Sequence, residues 1–562
     1  MQLEKARFKI DDFRFPGPKA DISLTAKGKA DDLGEIANRK PIRALSYAKI
    51  EPRGLSGDVL AKVALSLPLR PKLGASDVDW KAGLGITKFS SPKPIDGRQI
   101  DDATAQISIT PEAMTIDGKG KIDGVEADID MELPFKGNDS GRTVAVKLVL
   151  DDKDREKLGI DFGEFLTGPI SVEIDQDASS AKQGDLYKVD LSRAEINLDF
   201  IGWKKSKGVA ATARMRLITT SKGTQVRDFS LAGDGFGAQG TADISKAGDI
   251  NRLNLTKLAL KKGDSISVDA VLRAERTYDI KVDGKSFDAR SLIHVLTDRP
   301  NSAADANYRY KVKATIGEVT GYIAEKIRGF SMDVSLRGPT VLKLTVSGIT
   351  KNAKAPFNIR YGAISGRGDV LTAEGPDGGA IARFANIYYR AFGGPFTITG
   401  QRPPGVKALT GKFRMKRFWL VDEPALSGLG GSVSSNGKPA VKFNVLKINF
   451  TEQDQKLRVD KGLLSGDNIG GTYEGVLNRK TKEVDFTGTY VPIYVLNNFF
   501  TKIPIVGQVL GNGKREGLIG VTFKVKGTIA KPKVTVNPLS ALAPGFLRQL
   551  FRFRKTDQQS TN

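Results

Sequence analysis

The segment Glu126-Ala-Asp-Ile-Asp-Met-Glu-Leu133 decides the fold class, because apolar and acidic residues alternate strictly along it. Residues that alternate in this way lie on opposite faces of a β-strand, so one face is apolar and the other is solvated. Strands with one apolar face are typical of antiparallel sheets, since strands of parallel sheets are usually apolar on both faces. The segment therefore predicts an antiparallel strand.

The same period of two residues recurs along the chain. Further examples are 144–150, 332–336, 342–346 and 521–525. Between such runs, the glycine-rich segments Asp117–Gly120, Gly233–Gly237 and Gly511–Gly513 predict hairpin turns, where positive φ angles are needed. Shifts in the alternation at Asp11–Asp12 and at Leu446 predict β-bulges. The pattern indicates a mainly β protein, a long antiparallel meander.

The composition excludes several kinds of chemistry. The 562 residues include no cysteine and a single histidine, His294, which we expect at the surface of a short helix. Zinc and iron–sulfur sites require clusters of Cys and His, and thiol catalysis requires Cys. We therefore predict no metal site, no cofactor and no catalytic residue, and expect a protein that is not an enzyme.

Paired acids are the remaining candidates for catalysis. Asp101–Asp102 and Asp151–Asp152 lie beside predicted turns without a nearby histidine, so we interpret them as solvated ends of strands. Two carboxylates brought together by folding would still support hydrolysis, and spatial neighbours are not visible in a sequence.

Two short motifs resemble nucleotide-binding loops. Gly235–Gly240 fits G-x-G-x-x-G but precedes a predicted strand instead of a helix, and Gly284–Ser286 lacks the leading glycine of a phosphate-binding loop. Neither predicts a nucleotide site. Arg367–Asp369 is interpreted as part of a hairpin.

The charge is strongly positive, at +23 from 87 Lys and Arg against 64 Asp and Glu. The cations are interleaved with acids on the solvated faces of strands, whereas a nucleic-acid site needs a basic stripe. We therefore predict no nucleic-acid partner. Anionic lipid headgroups attract the same cations and also suit the apolar faces.

The apolar faces need a cover that the predicted helices are too few to supply. Short helices are predicted at Asp288–Leu296, after Asp422, within 492–510 and within 544–553. Two arrangements remain open: sheets stacked as sandwiches, or one long sheet curled into a hydrophobic groove that holds other molecules. At ~4.8 Å per strand, a single meander of about 35 to 40 strands would extend roughly 170 to 190 Å.

The carboxy-terminal part carries the candidate membrane-contact residues. The segment 537–562 is basic and amphipathic, with an apolar stripe beside arginines at helical spacing, and 492–510 is the most apolar segment of the chain. Both could equally pack over the last strands as caps. The candidate lipid- and membrane-contacting residues are Phe499, Phe500, Ile503, Ile505, Phe546, Leu547, Arg548, Leu550, Phe551 and Arg552.

Several sequence segments near the carboxy end resemble segments of a known family. Gly488–Asn497, Ile503–Gly507, Glu516–Gly520 and Asn537–Leu547, together with Phe418–Leu426, resemble the closing part of the AsmA-like C-terminal family, in particular its large YhdP-type members. Gly57–Leu69 and Leu166–Ile170 look like the domain of unknown function that precedes this part in the family. The resemblance is strongest over 410–552.

The resemblance implies a repeating β-groove protein that carries phospholipid between the inner and outer membranes across the periplasm. It further implies three regions: 1–297 like the preceding domain, 308–536 like the AsmA-like part, and 537–562 as the terminal segment. We place the one candidate boundary at Thr297–Asn307. Partners would be acyl chains, anionic headgroups and both membranes.

The family is anchored in the inner membrane by an amino-terminal helix, and the sequence contains no such segment and no signal peptide. We therefore expect this chain to be the carboxy-terminal part of a longer polypeptide, or to rely on a partner for anchoring. Two other functions remain open, a structural envelope protein of stacked β-sandwiches and an assembly factor for outer-membrane proteins.

Overall fold

The computed structural model describes most of the chain. The described ranges are 2–10, 17–39, 50–70, 72, 77–95, 98–134, 143–158, 162–176, 183–298, 307–338, 340–423, 432–434, 437–467, 469–492, 521–529 and 531–537. Strands account for 69% of the structure and helices for 10%, so the prediction of a mainly β fold is confirmed.

The chain divides by packing into two compact units. Unit 1 comprises Met1–Leu198 and Lys204–Thr256, and unit 2 comprises Asp199–Trp203 and Lys257–Asn562. The division into 1–297, 308–536 and 537–562 follows a family resemblance instead of packing, and it stays a prediction.

The first seventeen strands belong mostly to unit 1, with two of them crossing into unit 2. They are β1 (Gln2–Ile10), β2 (Lys19–Lys29), β3 (Ser56–Pro68), β4 (Asp79–Ser90), β5 (Ile100–Ile109), β6 (Ala113–Ile122), β7 (Val125–Pro134), β8 (Thr143–Leu150), β9 (Leu166–Thr167), β10 (Ile170–Gln176), β11 (Asp185–Asp190), β12 (Glu195–Leu198), β13 (Trp203–Lys205), β14 (Ala211–Thr220), β15 (Gly223–Gly233), β16 (Phe236–Ser245) and β17 (Ile250–Ala259).

The remaining described strands lie in unit 2. They are β18 (Ser265–Arg273), β19 (Thr277–Asp288), β20 (Arg309–Thr320), β21 (Lys326–Arg337), β22 (Thr340–Thr350), β23 (Phe357–Ile364), β24 (Gly368–Gly375), β25 (Ala391–Gly393), β26 (Phe396–Arg402), β27 (Leu409–Val421), β28 (Ser432–Val433), β29 (Pro439–Gln453), β30 (Lys456–Gly466), β31 (Ile469–Asn478), β32 (Glu483–Pro492), β33 (Val521–Thr528) and β34 (Lys531–Asn537).

Unit 1 is an antiparallel meander. From β1 to β8 each strand pairs with the next one in sequence, and the ladder continues through β10, β11, β14, β15 and β16. The short strands β9 and β12 pair separately within the connections. The strict alternation in the sequence suits this antiparallel meander, because every strand can then place its apolar face on the same side of the sheet.

Unit 2 continues the same pattern with one exception. Strands β19 and β20 are parallel, with Tyr278 opposite Tyr310 and Val282 opposite Ala314. A parallel pair needs a crossover connection, and the helix that follows β19 belongs to it. The remaining ladder from β20 to β34 is antiparallel. The predicted antiparallel meander is therefore confirmed, apart from this pair.

Four short α-helices lie within the described ranges. They are α1 (Ala30–Ala37), α2 (Asp152–Lys157), α3 (Arg290–Asp298) and α4 (Gly378–Phe384). The helix predicted after Asp288 is confirmed as α3, and the N–H of Arg290 donates to Oδ1 of Asp288 at 3.0 Å. The helices predicted after Asp422, within 492–510 and within 544–553 fall mostly outside the described residues.

In each unit the helices lie at one end of the strands. Helices α1 and α2 follow β2 and β8, which run in the same direction because six antiparallel steps separate them. Helices α3 and α4 follow β19 and β24, which also share a direction in unit 2. We call this the helix-bearing end of each unit.

One predicted turn is wrong. Asp117–Gly120 lies inside β6, where Gly118 faces Ala105 and Gly120 faces Ala127 across the ladders. A Cβ added at Gly118 would overlap the Cβ of Ala105. Glycine is used there for close approach of neighbouring strands, and not for a turn.

The other local predictions mostly hold. Gly233–Gly237 contains the turn between β15 and β16, with φ of 78° at Gly235. The ladder shifts register between Phe443 and Val445, next to the predicted bulge at Leu446. Gly511–Gly513 and Asp11–Asp12 lie outside the described residues.

Candidate functional site

The candidate site of unit 1 is the apolar face of its sheet. Side chains that are direct cross-strand partners lie on the same face, so the register defines a continuous column across eight strands. This unit-1 column runs through Leu3, Ala26, Ala61, Leu84, Ile107, Ile116, Met131 and Val144. No member carries a hydrogen-bonding side chain, and the column crosses the strands at right angles.

The apolar face of unit 2 has a longer column. This unit-2 column consists of Val268, Val282, Ala314, Met332, Val346, Ile359, Ala373, Ile398, Phe413, Ile448, Gly462, Tyr473, Gly488, Phe523 and Val536. It is aliphatic through Ile398 and then includes glycine and aromatic residues. Its one hydroxyl belongs to Tyr473, and burial raises the pKa of that group.

Much of this apolar surface is only partly covered. Leu84, Ile107, Ile116 and Met131 are half-buried, whereas the interior of stacked sheets is fully buried. At about 25 cal/mol per Å² of apolar surface, leaving such columns in water costs free energy that a hydrocarbon ligand would recover.

The opposite face carries charges of both signs. One row across unit 1 consists of Lys119, Asp128, Lys147, Glu173, Lys188 and Arg214. Lys188 lies 3.0 Å from Glu173 and 2.7 Å from Asp175, and these carboxylates raise its pKa. The acids interrupt the cations, as the sequence analysis predicted for the solvated faces, so this row does not form a basic stripe.

A shallow concavity of about 510 Å³ lies on the same polar face, bordered by Arg7, Lys9, Asp21, Asp79 and Lys81. Its border contains both signs of charge and faces away from the unit-1 column. It therefore does not belong to the apolar candidate site.

Buried cations form hydrogen bonds with the connecting segments at the helix-bearing end of unit 1. Arg155, with 3% of its side chain exposed, donates to the carbonyls of Gly168 at 2.8 Å and Leu166 at 3.0 Å. Lys205, 1% exposed, donates to the carbonyl of Ala194 at 2.6 Å and to that of Leu191. Burial lowers the pKa of Lys205, and the charge of Asp190 opposes this effect.

These cations have structural partners instead of catalytic ones. Each donates to backbone carbonyls of the loops, and burying such carbonyls without hydrogen bonds would be costly inside a protein. Within the described part of the chain, no group of three or more acidic or histidine side chains is placed to hold a metal ion.

The paired acids also have structural partners. Asp151 caps α2, where it accepts from the N–H of Asp154 at 2.8 Å, and Asp152 accepts from the N–H of Gly168 at 3.0 Å. The N–H of Asp102 donates to Oγ of Ser90 at 3.0 Å. Asp102, Asp151 and Asp152 are exposed, as predicted, whereas Asp101 is half-buried at the start of β5.

The remaining sequence motifs occupy ordinary structural positions. His294 is exposed on α3, as predicted. Gly235 is followed by the strand β16, and Gly284–Ser286 lies inside β19 instead of in a loop that opens a helix. Arg367 lies in the hairpin between β23 and β24, again as predicted.

All ten predicted lipid- and membrane-contact residues, Phe499 to Arg552, lie outside the described residues and stay predictions. The sequence predicts apolar strand faces, but it does not predict which residues align across the strands as columns. None of the helices within the described ranges combines the length and apolar character that crossing a membrane requires.

Comparison with protein-family models, with curated proteins and with solved structures finds no significant match.

Proposed function

We propose that this chain is a non-enzymatic, bridge-like carrier of phospholipid between the inner and outer membranes, acting in the periplasm of the cell envelope. Acyl chains would lie along the apolar columns, and anionic headgroups would lie at the rim beside Lys and Arg. The observation that carries this proposal is the continuity of the columns across many strands, with side chains that stay half-buried along much of their length.

The chemistry of the columns favours hydrocarbon as the ligand. Their side chains are almost entirely alkyl or aromatic, and the hydroxyl of Tyr473 is the one group among them that could orient a polar ligand. Acyl chains adapt to such a surface, and contact with it removes apolar area from water on both partners. The excess of cations, +23 overall, complements anionic headgroups.

Half-burial of the unit-1 column argues against the structural alternative. If a second sheet were stacked on this face, Ile107 and Ile116 would be interior residues, yet both retain solvent exposure. The family resemblance supports the same proposal but rests on the sequence alone.

The test is native mass spectrometry of the full chain after gentle purification from cells with a Gram-negative envelope. We expect phospholipid to copurify in more than one copy per chain. A lipid-free protein would contradict the proposal, and crosslinking to unfolded β-barrel proteins in place of lipid would favour an assembly factor.

A further inference from the structure

In unit 2, several aromatic rings of the apolar face lie over glycines of the preceding ladder strand. Three of these glycine–ring pairs are Gly411–Phe450, Gly462–Tyr473 and Gly488–Phe523. A Cβ added at Gly462 would lie 2.5 Å from Cε2 and Cζ of Tyr473, and one at Gly488 would lie 2.5 Å from Cζ of Phe523. Each ring therefore occupies the space that a side chain at the glycine would need.

The direction of the rings is the same in all three pairs. Each aromatic residue follows its glycine in the sequence and leans back over the earlier strand. Because the glycine leaves room, the ring lies against the backbone and extends less far from the sheet. The ring of Tyr473 also meets Phe486 edge-on, with centroids 6.1 Å apart and planes at 77°.

We propose that Gly462 is a positioning residue for lipid passage, because it lets the ring of Tyr473 lie flat and keeps the unit-2 column open to acyl chains. This inference rests on the proposed function and deepens it. In the pairs Gly411–Phe450 and Gly488–Phe523, the glycine has the same role of making room for the ring.

Gly462 gives the cleanest test of the three. The three atoms nearest to an added Cβ at Gly462 are all in the ring of Tyr473, so the ring alone must move. At Gly411 and Gly488 the carbonyl oxygens of Thr399 and Thr472 are also too close, and substitution there would disturb the ladder.

Gly400 supplies the matched control. It is buried on the same apolar face, in the ladder between Leu371 and Gly411. An added Cβ there meets only ordinary contacts of 3.5 Å, to Leu371, Leu409 and Thr410. Gly400→Ala therefore adds the same methyl group without displacing a ring.

The experiment places a photoreactive amino acid at Ile448, next to Gly462 in the unit-2 column, or at Ile359, further along the same column. Phospholipid adducts of the full chain are measured by mass spectrometry after illumination. In the otherwise wild-type chain we expect adducts at both positions. In Gly462→Ala we expect loss of most of the adduct at Ile448 and retention at Ile359.

The double variant Gly462→Ala, Tyr473→Ala removes the displaced ring, and we expect it to restore the adduct at Ile448. Gly400→Ala should match the wild type at both positions. If Gly462→Ala instead disturbed the sheet through its own backbone, removing the ring would not restore the adduct at Ile448.

A second measurement follows the ring itself. Burial raises the pKa of Tyr473. Displacement of the ring toward solvent in Gly462→Ala should therefore shift that pKa back toward its ordinary value. The shift is measured by tyrosinate absorbance, and Tyr473→Phe identifies the part of the signal that belongs to this residue.

The outcomes distinguish failure of the proposed function from failure of the role of Gly462. Adducts at neither position in the wild-type chain would overturn the proposed function and this inference together. Three results would overturn the role of Gly462 alone. They are an unchanged adduct at Ile448 in Gly462→Ala, an unshifted pKa of Tyr473 in that variant, and a loss of the adduct that the double variant does not restore.

Discussion

Arg383 and Glu325 form an ion pair at the helix-bearing end of unit 2, with only 4% and 14% of their side chains exposed. Nε of Arg383 lies 2.7 Å from Oε1 of Glu325, and its guanidinium lies 4.0 Å from the centroid of Phe392. The pair joins α4 to the connection between β20 and β21.

Glu325→Ala should destabilise unit 2 by about 3 to 5 kcal/mol, because it leaves the charge of Arg383 buried without its partner. The measurement is urea unfolding followed by circular dichroism. The control is Glu318→Ala, which breaks the exposed pair with Lys326 and should cost less than about 1 kcal/mol. Equal losses in the two variants would contradict the structural role of the buried pair.

Gly118→Ala should destabilise unit 1 by about 1 to 3 kcal/mol, because the added methyl overlaps Ala105 and the carbonyl of Thr104. Gly83→Ala is the control, since a Cβ there meets nothing within 4 Å. We expect that control to be neutral or slightly stabilising. Thermal unfolding of both variants compares them directly, and a loss of stability in Gly83→Ala as well would show that close strand approach is not the cause.

Raising the pH should remove stability that Tyr473 contributes. Burial raises the pKa of Tyr473 above its ordinary value of 10.0, so the folded state holds the proton more tightly than the unfolded state. The contribution is fully present below pH 10 and is lost as the pH rises above that value. Urea midpoints between pH 8 and 11 should fall less steeply in Tyr473→Phe than in the wild type, and parallel curves would refute the assignment.

Ile116→Asp should lower the amount of phospholipid that copurifies with the chain, since it places a charge in the middle of the unit-1 column. Thr115→Asp is the control, because Thr115 precedes Ile116 in β6 and lies on the polar face. Native mass spectrometry counts the lipids in each variant. Equal lipid loss from the control would mean that charge alone, and not the apolar face, governs retention.

Leu550→Asp in the full chain should weaken flotation with vesicles of anionic phospholipid. The sequence places Leu550 on an apolar stripe beside Arg548 and Arg552, and an acid there opposes both burial and attraction to headgroups. Unchanged flotation would favour a segment that only caps the last strands. Gln549→Asp adds the same charge outside the stripe and serves as the control.

The sequence predicted the class of fold well because alternation is a local property. Glu126–Leu133 specifies a two-faced strand by itself, and β7 forms there. Asp117–Gly120 shows the limit, since the same glycines serve a turn or a close strand contact, and only the neighbouring strand with Ala105 decides which.

The candidate site depended far more on the tertiary structure. Alternation places Gly471, Tyr473 and Gly475 on one face of β31, and that much could be read from the sequence. The register then sets Tyr473 opposite Gly462, across a ladder that shifts between Val459 and Gly462. A shift of this kind has no local signature, so the pair could not be identified beforehand.

The sequence by itself therefore determined that the strands have one apolar and one charged face, and that zinc–thiolate, iron–sulfur and thiol chemistry lack the necessary cysteines. Only the tertiary structure decided which apolar side chains form columns, that β19 and β20 run parallel, and that Arg155, Lys205 and Arg383 are buried. The physical reason is that faces follow from periodicity along one strand, whereas columns, crossovers and buried charges depend on pairing between residues distant in sequence.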